Sequence, residues 1–187
     1  MEHFTPQIQY MAPRLTGEPY NQAEAMGSAV WLWMHSEFHR NFPLHALNGL
    51  LLPAIGKGQF ILGTENKKPV FYLSWAMFSE EAEARYLSRS FTEIPLQDWD
   101  SGNRMWLLDW ICPFGHTLQM RRLTERLMHN RYGRWAPRKG NGVVREYRGI
   151  SVLKEEARFW FLNNPAMTPA YVAASQAGTF AGINSSE

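Results

Sequence analysis

The sequence has little cysteine, no long apolar run and no internal repeat. A single cysteine, Cys112, in 187 residues excludes an internal disulfide framework and fits a reducing compartment. Its longest apolar stretches, such as Leu50 to Ile55, are far short of the roughly 20 residues that span a bilayer. No basic segment followed by an apolar core opens the chain, so a secretory leader is not expected and a cytoplasmic location is. The cysteine has no ligand-spaced histidine partners, so no metal site is read. Walker loops and dinucleotide fingerprints are also missing.

The composition that remains is that of a globular domain. Hydrophobic residues make up 45% and charged residues 19%, and the length suits one domain with a substantial core. Eight tryptophans and 14% aromatics point to aromatic-rich strands or an apolar groove, with core filling as the main use. The formal charge of +2 hides an asymmetry. Residues 1–120 carry 8 Lys/Arg against 12 Asp/Glu, whereas residues 121–148 carry 9 against 2, a net of +7. Such a stretch attracts a polyanion, which could be nucleic acid, a membrane surface or an acidic protein; a solvated face explains it equally well.

Pro6, Pro13, Gly17 and Pro19 without a sustained period predict a loosely ordered leader over residues 1–20. Asn21 followed by Glu24 is an N-cap signal for a helix over Ala23–Met34. Pro43 can start a second helix, Leu44–Leu52, which Pro53 with Gly56 and Gly58 would end. Strands Gln59–Gly63 and Val70–Met77 flank the polar turn Thr64–Lys68 as a hairpin. Ser79 caps a helix that runs to about Arg89, with Glu80 and Glu81 in its first turn.

The turn Asp100–Asn103 leads into Met105–Ile111, a strand with the run of large residues expected when both faces are buried. Leu118, Leu123 and Leu127 mark a helical stripe. Val143–Val152 reads as a strand and Glu155–Asn163 as the last helix of a domain over residues 21–164, with residues 165–187 as a flexible tail. This order predicts an α+β fold, a sheet flanked by helices.

Two places could carry chemistry. Ser36 and His39 lie one turn apart if the first helix continues, and a histidine beside a hydroxyl can act as its base. An isolated S-x-x-H is more often a polar helix end, and His45 and His129 fit that description better still. Asp109 places a carboxylate inside an apolar strand, which is costly unless it is paired. A buried Asp can hold a His in one tautomer and stabilise its charged form, but it can equally bond backbone N–H groups at a strand end. Gly140-Asn141-Gly142, preceded by Arg138 and Lys139, weakly resembles an anion-cradling loop and reads better as a turn.

Taken together, a series of segments resembles the lysine acyltransferases that activate RTX toxins. They are Ala29-Val30-Trp31-Leu32-Trp33 with Ser36, His39-Arg40 and Pro43; Leu52-Pro53-Ala54-Ile55 and Gln59-Phe60; Ser74-Trp75-Ala76 and Tyr86-Leu87. Asp98-Trp99, Ser101-Gly102, Arg104, Trp106, Asp109-Trp110-Ile111, Pro113-Phe114-Gly115, Glu146-Tyr147 and Gly149 follow in order, so the match covers roughly residues 25–150. Glu37, Phe42 and Cys112 depart from the usual family pattern, and none of them replaces a proposed catalytic group.

The resemblance implies a GNAT-like single domain with a central, mostly antiparallel sheet flanked by helices. It implies transfer of a fatty acyl chain from the 4'-phosphopantetheine thioester of acyl carrier protein to internal lysines of an RTX protoxin. His39 and Asp109 match the family's catalytic residues, and Ser36 and Tyr86 match supporting positions. Arg131 and Arg134 fall near functional arginines and would face the acidic carrier. Neither a bound cofactor nor a nucleic-acid partner is implied, and a homodimer is suggested by the family alone. Two alternatives remain: a GNAT enzyme using acyl-coenzyme A, and a non-catalytic escort that binds a toxin or nucleic acid by its basic face. The first lacks the pyrophosphate-loop pattern, since Pro137–Gly142 begins with the wrong residue.

Overall fold

A computed structural model describes residues 8–88, 94–136 and 143–176. Six strands form one sheet in sequence order: β1 (Gln9–Met11), β2 (Phe60–Glu65), β3 (Lys68–Phe78), β4 (Arg104–Ile111), β5 (Tyr132–Trp135) and β6 (Arg145–Arg148). Every pairing is antiparallel except β4 with β5, which run parallel. The parallel pair needs a crossover, and α6 (Thr117–Leu127) supplies it. The expected α+β architecture with a mostly antiparallel sheet is therefore present.

Helices cover both faces. On one, α2 (Gln22–Met34) packs Ala25, Ala29, Leu32 and Trp33 against Phe60, Leu62, Tyr72 and Ile111. The short helices α3 (Ala46–Leu50) and α4 (Leu52–Gly56) extend this layer, and α5 (Glu80–Ser88) closes it over Ala76, Phe78 and Trp106. On the other face, α6 sets Met120 and Leu123 against Phe71, Leu73, Trp75 and Met105. The alternation of β3 explains the division, because residues 71, 73 and 75 face α6 while 72, 74 and 76 face α2 and α5.

Local signals account for most boundaries. The Asn21 side chain accepts from the amides of Ala23 and Glu24, fixing the start of α2. Ser79 Oγ accepts from the Ala82 amide at the start of α5. Asn66 and Lys67 both have positive φ (49° and 64°), as the two-residue turn between β2 and β3 requires.

Several expectations need correction. Residues 9–16, read as part of a loose leader, form β1 on the edge of the sheet and α1 (Pro13–Thr16), with Ala12 and Pro13 buried. Pro53 does not simply end a helix: it sits in the first turn of α4, where its missing N–H costs nothing. Leu118, assigned to a buried stripe, is 57% exposed, and Met120 takes its place in the core. The strand read over Val143–Val152 is only the four residues of β6, and β5 was not expected. Within β5, a Cβ on Gly133 would stand 2.6 Å from the Met105 carbonyl, so only glycine lets the two strands approach. Residues 165–176, read as tail, include α8 (Pro169–Gln176) after α7 (Lys154–Asn163). The glycine pair at 140–142, with Arg138 and Lys139, lies outside the described residues.

Candidate active site

α2 ends at Met34, and a turn follows in which the amides of His39 and Arg40 both bond the Ser36 carbonyl. The turn, rather than a continued helix, keeps Ser36 and His39 together: Ser36 Oγ lies 2.8 Å from His39 Nδ1. The other ring nitrogen, Nε2, lies 3.0 Å from Asp109 Oδ1. The two residues that sequence had to pair across 70 positions are in contact. An ionised carboxylate only accepts, so Asp109 requires the proton on Nε2 and leaves the Nδ1 lone pair to accept from the Ser36 hydroxyl.

The backbone of β4 brings Asp109 to this place. Its register with β3 slips between Ser74 and Trp75: Ser74 stands opposite Asp109 and Trp75 opposite Leu107, so Leu108 is an extra residue. Before the slip, Met105 and Leu107 face α6 and Trp106 faces α5. After it, Trp110 packs on Phe71 on the α6 side, while Ile111 joins Leu32 and Trp33. The bulge therefore puts Leu108 and Asp109 on the same face, the one that holds His39. With a regular strand, Asp109 would point at α6.

The pair is enclosed. His39 is 2% exposed and Asp109 8%. The imidazole stacks on Trp33 with ring centroids 4.8 Å apart and meets the edges of Phe38 and Phe42. Ser74 Oγ reaches Asp109 Oδ2 at 3.4 Å. Burial, and secondly the Asp109 charge, push the neighbouring Tyr72 hydroxyl well above its ordinary value, so it stays a neutral phenol. One side opens to a pocket whose walls include Phe38, Phe42, Leu50, Tyr86, Ile94, Leu108 and Ala136. Tyr86 thus lines the same pocket, its ring packed on Phe78 and Trp106.

The two arginines expected to face a carrier separate. Arg131 is exposed. Arg134 is 2% exposed and bonds Glu83 Oε1 at 3.0 Å, while its other nitrogen donates to the Asn164 carbonyl. Burial pulls its pKa down and Glu83 pulls it back up. It is committed to the interior and offers no contact to a partner. Glu83 also accepts from Arg104 (2.7 Å) and from the Trp106 indole (2.6 Å). Sequence reasoning missed this buried hub because only Glu80 and Glu81 were read, as an acidic first turn, and nothing local marks Glu83 as buried. Ser74 stood only in the matched segment Ser74-Trp75-Ala76, without a role, and Phe38, Leu50, Ile94, Leu108 and Ala136 in the pocket wall belonged to no motif.

Among the described residues no group of three or more His, Cys, Asp or Glu could hold a metal ion, and no helix is long and apolar enough to cross a membrane. A histidine backed by a buried carboxylate, facing an apolar pocket on a mostly antiparallel sheet, defines a site suited to acyl or proton transfer. The sequence matches the RTX toxin acyltransferase family over residues 18–148, and the chain belongs to that family. It is 35% identical over 130 residues to the protein-lysine myristoyltransferase RtxC of Kingella kingae, covering 68% of this chain and 77% of that protein. It is 32% identical over 147 residues to the RTX-II toxin-activating lysine-acyltransferase ApxIIC of Actinobacillus pleuropneumoniae, covering 76% and 91%. A protein-lysine myristoyltransferase HlyC of Escherichia coli is 37% identical over 139 residues, covering 72% and 80%.

Proposed function

We propose that this protein transfers a fatty acyl chain from acyl carrier protein to internal lysines of an RTX protoxin, with His39 as the base and Asp109 as its partner. The observation that carries the reading is the chain of contacts Ser36–His39–Asp109 at the wall of an apolar pocket, in a member of this family.

A free lysine has a pKa of about 10.4 and cannot attack as an ammonium. It gives one proton to solvent and a second to His39 as its nitrogen attacks the thioester carbon. The C–N bond forms, the C–S bond breaks, and His39 returns its proton to the departing thiolate. Asp109 stabilises the imidazolium in between. Nδ1 is the nitrogen available for this work, so the amine approaches through or beside the Ser36 hydroxyl.

The same 2.8 Å contact favours a second reading, in which Ser36 Oγ attacks first and carries the acyl group as an ester. Ser36→Ala separates them: direct transfer survives it in part, whereas the covalent route is abolished and an acyl adduct is trapped on Ser36 of the wild type.

An acidic carrier as donor is supported by the net +7 of residues 121–148, of which Arg121, Arg122, Arg126, Arg131, Arg145 and Arg148 are exposed. The test incubates purified protein and protoxin with acyl carrier protein thioester or acyl-coenzyme A, each followed by intact mass. Acylation from the carrier thioester is expected. Acylation from acyl-coenzyme A alone moves the protein to the conventional GNAT reading, and acylation from neither leaves a binding role.

A further inference from the structure

Resting on that acyl-transfer reading, we infer that the pocket beside His39 holds the donor's acyl chain, and that Leu50 and Ala136 set the chain length the enzyme accepts. The parallel ladder between β4 and β5 consists of Trp106 with Arg134 and Leu107 with Trp135. Beyond it β4 continues to Ile111, while β5 has ended. The gap that opens there is bordered by Leu108 on one strand and Ala136 just past the other, and both line the pocket. Because Leu108 is the bulged residue, an apolar wall and the carboxylate partner of the base stand side by side on one face.

The chemistry of the lining selects the ligand. Among the described residues, every side chain in the wall apart from His39, Asp109 and Tyr86 is hydrocarbon or phenyl. The closed part of the space measures about 40 Å³ and continues into open solvent. A pantetheine arm laid along the hydrocarbon part of the wall would bring amide groups that it leaves unpaired, whereas the lysine nitrogen need only reach the His39 end. A hydrocarbon chain brings none, and with its carboxyl carbon at His39 it runs along Phe42, Leu50 and Ile94.

Leu50 is the side chain shared between the core around α2 and the core under α5, so it stands where the pocket would deepen. Ala136 is the smallest group in the wall among the described residues, so it stands where the pocket is easiest to fill.

An apolar pocket distinguishes ligands differing by one methylene by roughly 10- to 200-fold. The experiment offers the full-length protein an equimolar series of acyl carrier protein thioesters of increasing chain length. The distribution of chains on the protoxin is then read by mass. Leu50→Ala should raise the ratio of longer chains to the wild-type chain by at least about tenfold, and Ala136→Leu should shift it towards shorter chains. Leu44→Ala, at a residue 81% exposed and outside the pocket, should leave the distribution unchanged. Circular dichroism verifies that each variant is folded, and the two opposite shifts do not depend on the yield of either one.

The inference is overturned if folded Leu50→Ala and Ala136→Leu both give the wild-type distribution. It is overturned equally if they change only the KM for protoxin. Failure of the underlying reading looks different, since the wild type would then acylate from no thioester in the series.

Discussion

Two buried polar clusters hang from the same strand on the same face of the sheet, and they are built for different ends. β4 gives Arg104 and Trp106 to one and Asp109 to the other. In the first, Glu83 has no exposed surface and both its oxygens are taken: Oε1 by Trp106 and Arg134, and Oε2 by Arg104 with the Met167 amide at 3.4 Å. Arg104 goes on to Glu80 and the Pro165 carbonyl, and Arg134 lies over the rings of Trp160 and Phe161. This cluster ties α5, β4, β5 and residues 164–167 together. In the second, Asp109 and His39 line a pocket, and the chain of contacts ends on a hydroxyl that can exchange a proton. A charge whose partners are all fixed holds structure; a charge whose partner can gain and lose a proton beside an opening is the one we propose for chemistry.

Substitutions should divide along that line. The largest effect is expected for Asp109→Asn, which keeps the volume but no longer enforces the tautomer with Nδ1 unprotonated. Acyl transfer should fall roughly 10²- to 10⁴-fold in a protein that melts near the wild-type temperature. Glu83→Ala should do the reverse. It leaves the buried Arg134 without its carboxylate and Arg104 with Glu80 alone, and should cost about 3–5 kcal/mol in denaturant unfolding, while each molecule still folded transfers at close to the wild-type rate. A Glu83 variant that is stable but inactive would erase the distinction between the clusters.

Smaller effects sharpen the comparison. Arg131→Glu should weaken use of the carrier thioester several-fold and more so at low salt, since the residue is exposed. Arg134→Met should instead lower stability with little change in that salt dependence. Cys112 gives the smallest effect: burial pushes its thiol up, so alkylation by iodoacetamide at pH 8 should be slower than for free cysteine.

The legibility of the molecule follows the same physics. Helices with side-chain caps were readable, as Asn21 and Ser79 show, and so was the β2–β3 hairpin with its polar turn. β1 and β5, of three and four residues, were not: Gln9–Met11 sits among prolines, and Tyr132–Trp135 is broken by a glycine whose reason lies in another strand. Charge alone could not tell Arg131 from Arg134, because burial depends on a glutamate 51 positions away. His39 and Asp109 became a pair only through the family resemblance. The bulge at Leu108 that turns Asp109 towards His39 carries no glycine or proline to announce it.

The most direct measurement is intact-mass analysis of a protoxin co-expressed with this protein or with its His39→Ala variant. If His39 is the base, the wild type gives a mass increase matching one or more fatty amides on lysine, and a folded His39→Ala protein gives none. Undiminished acylation by that variant would contradict it.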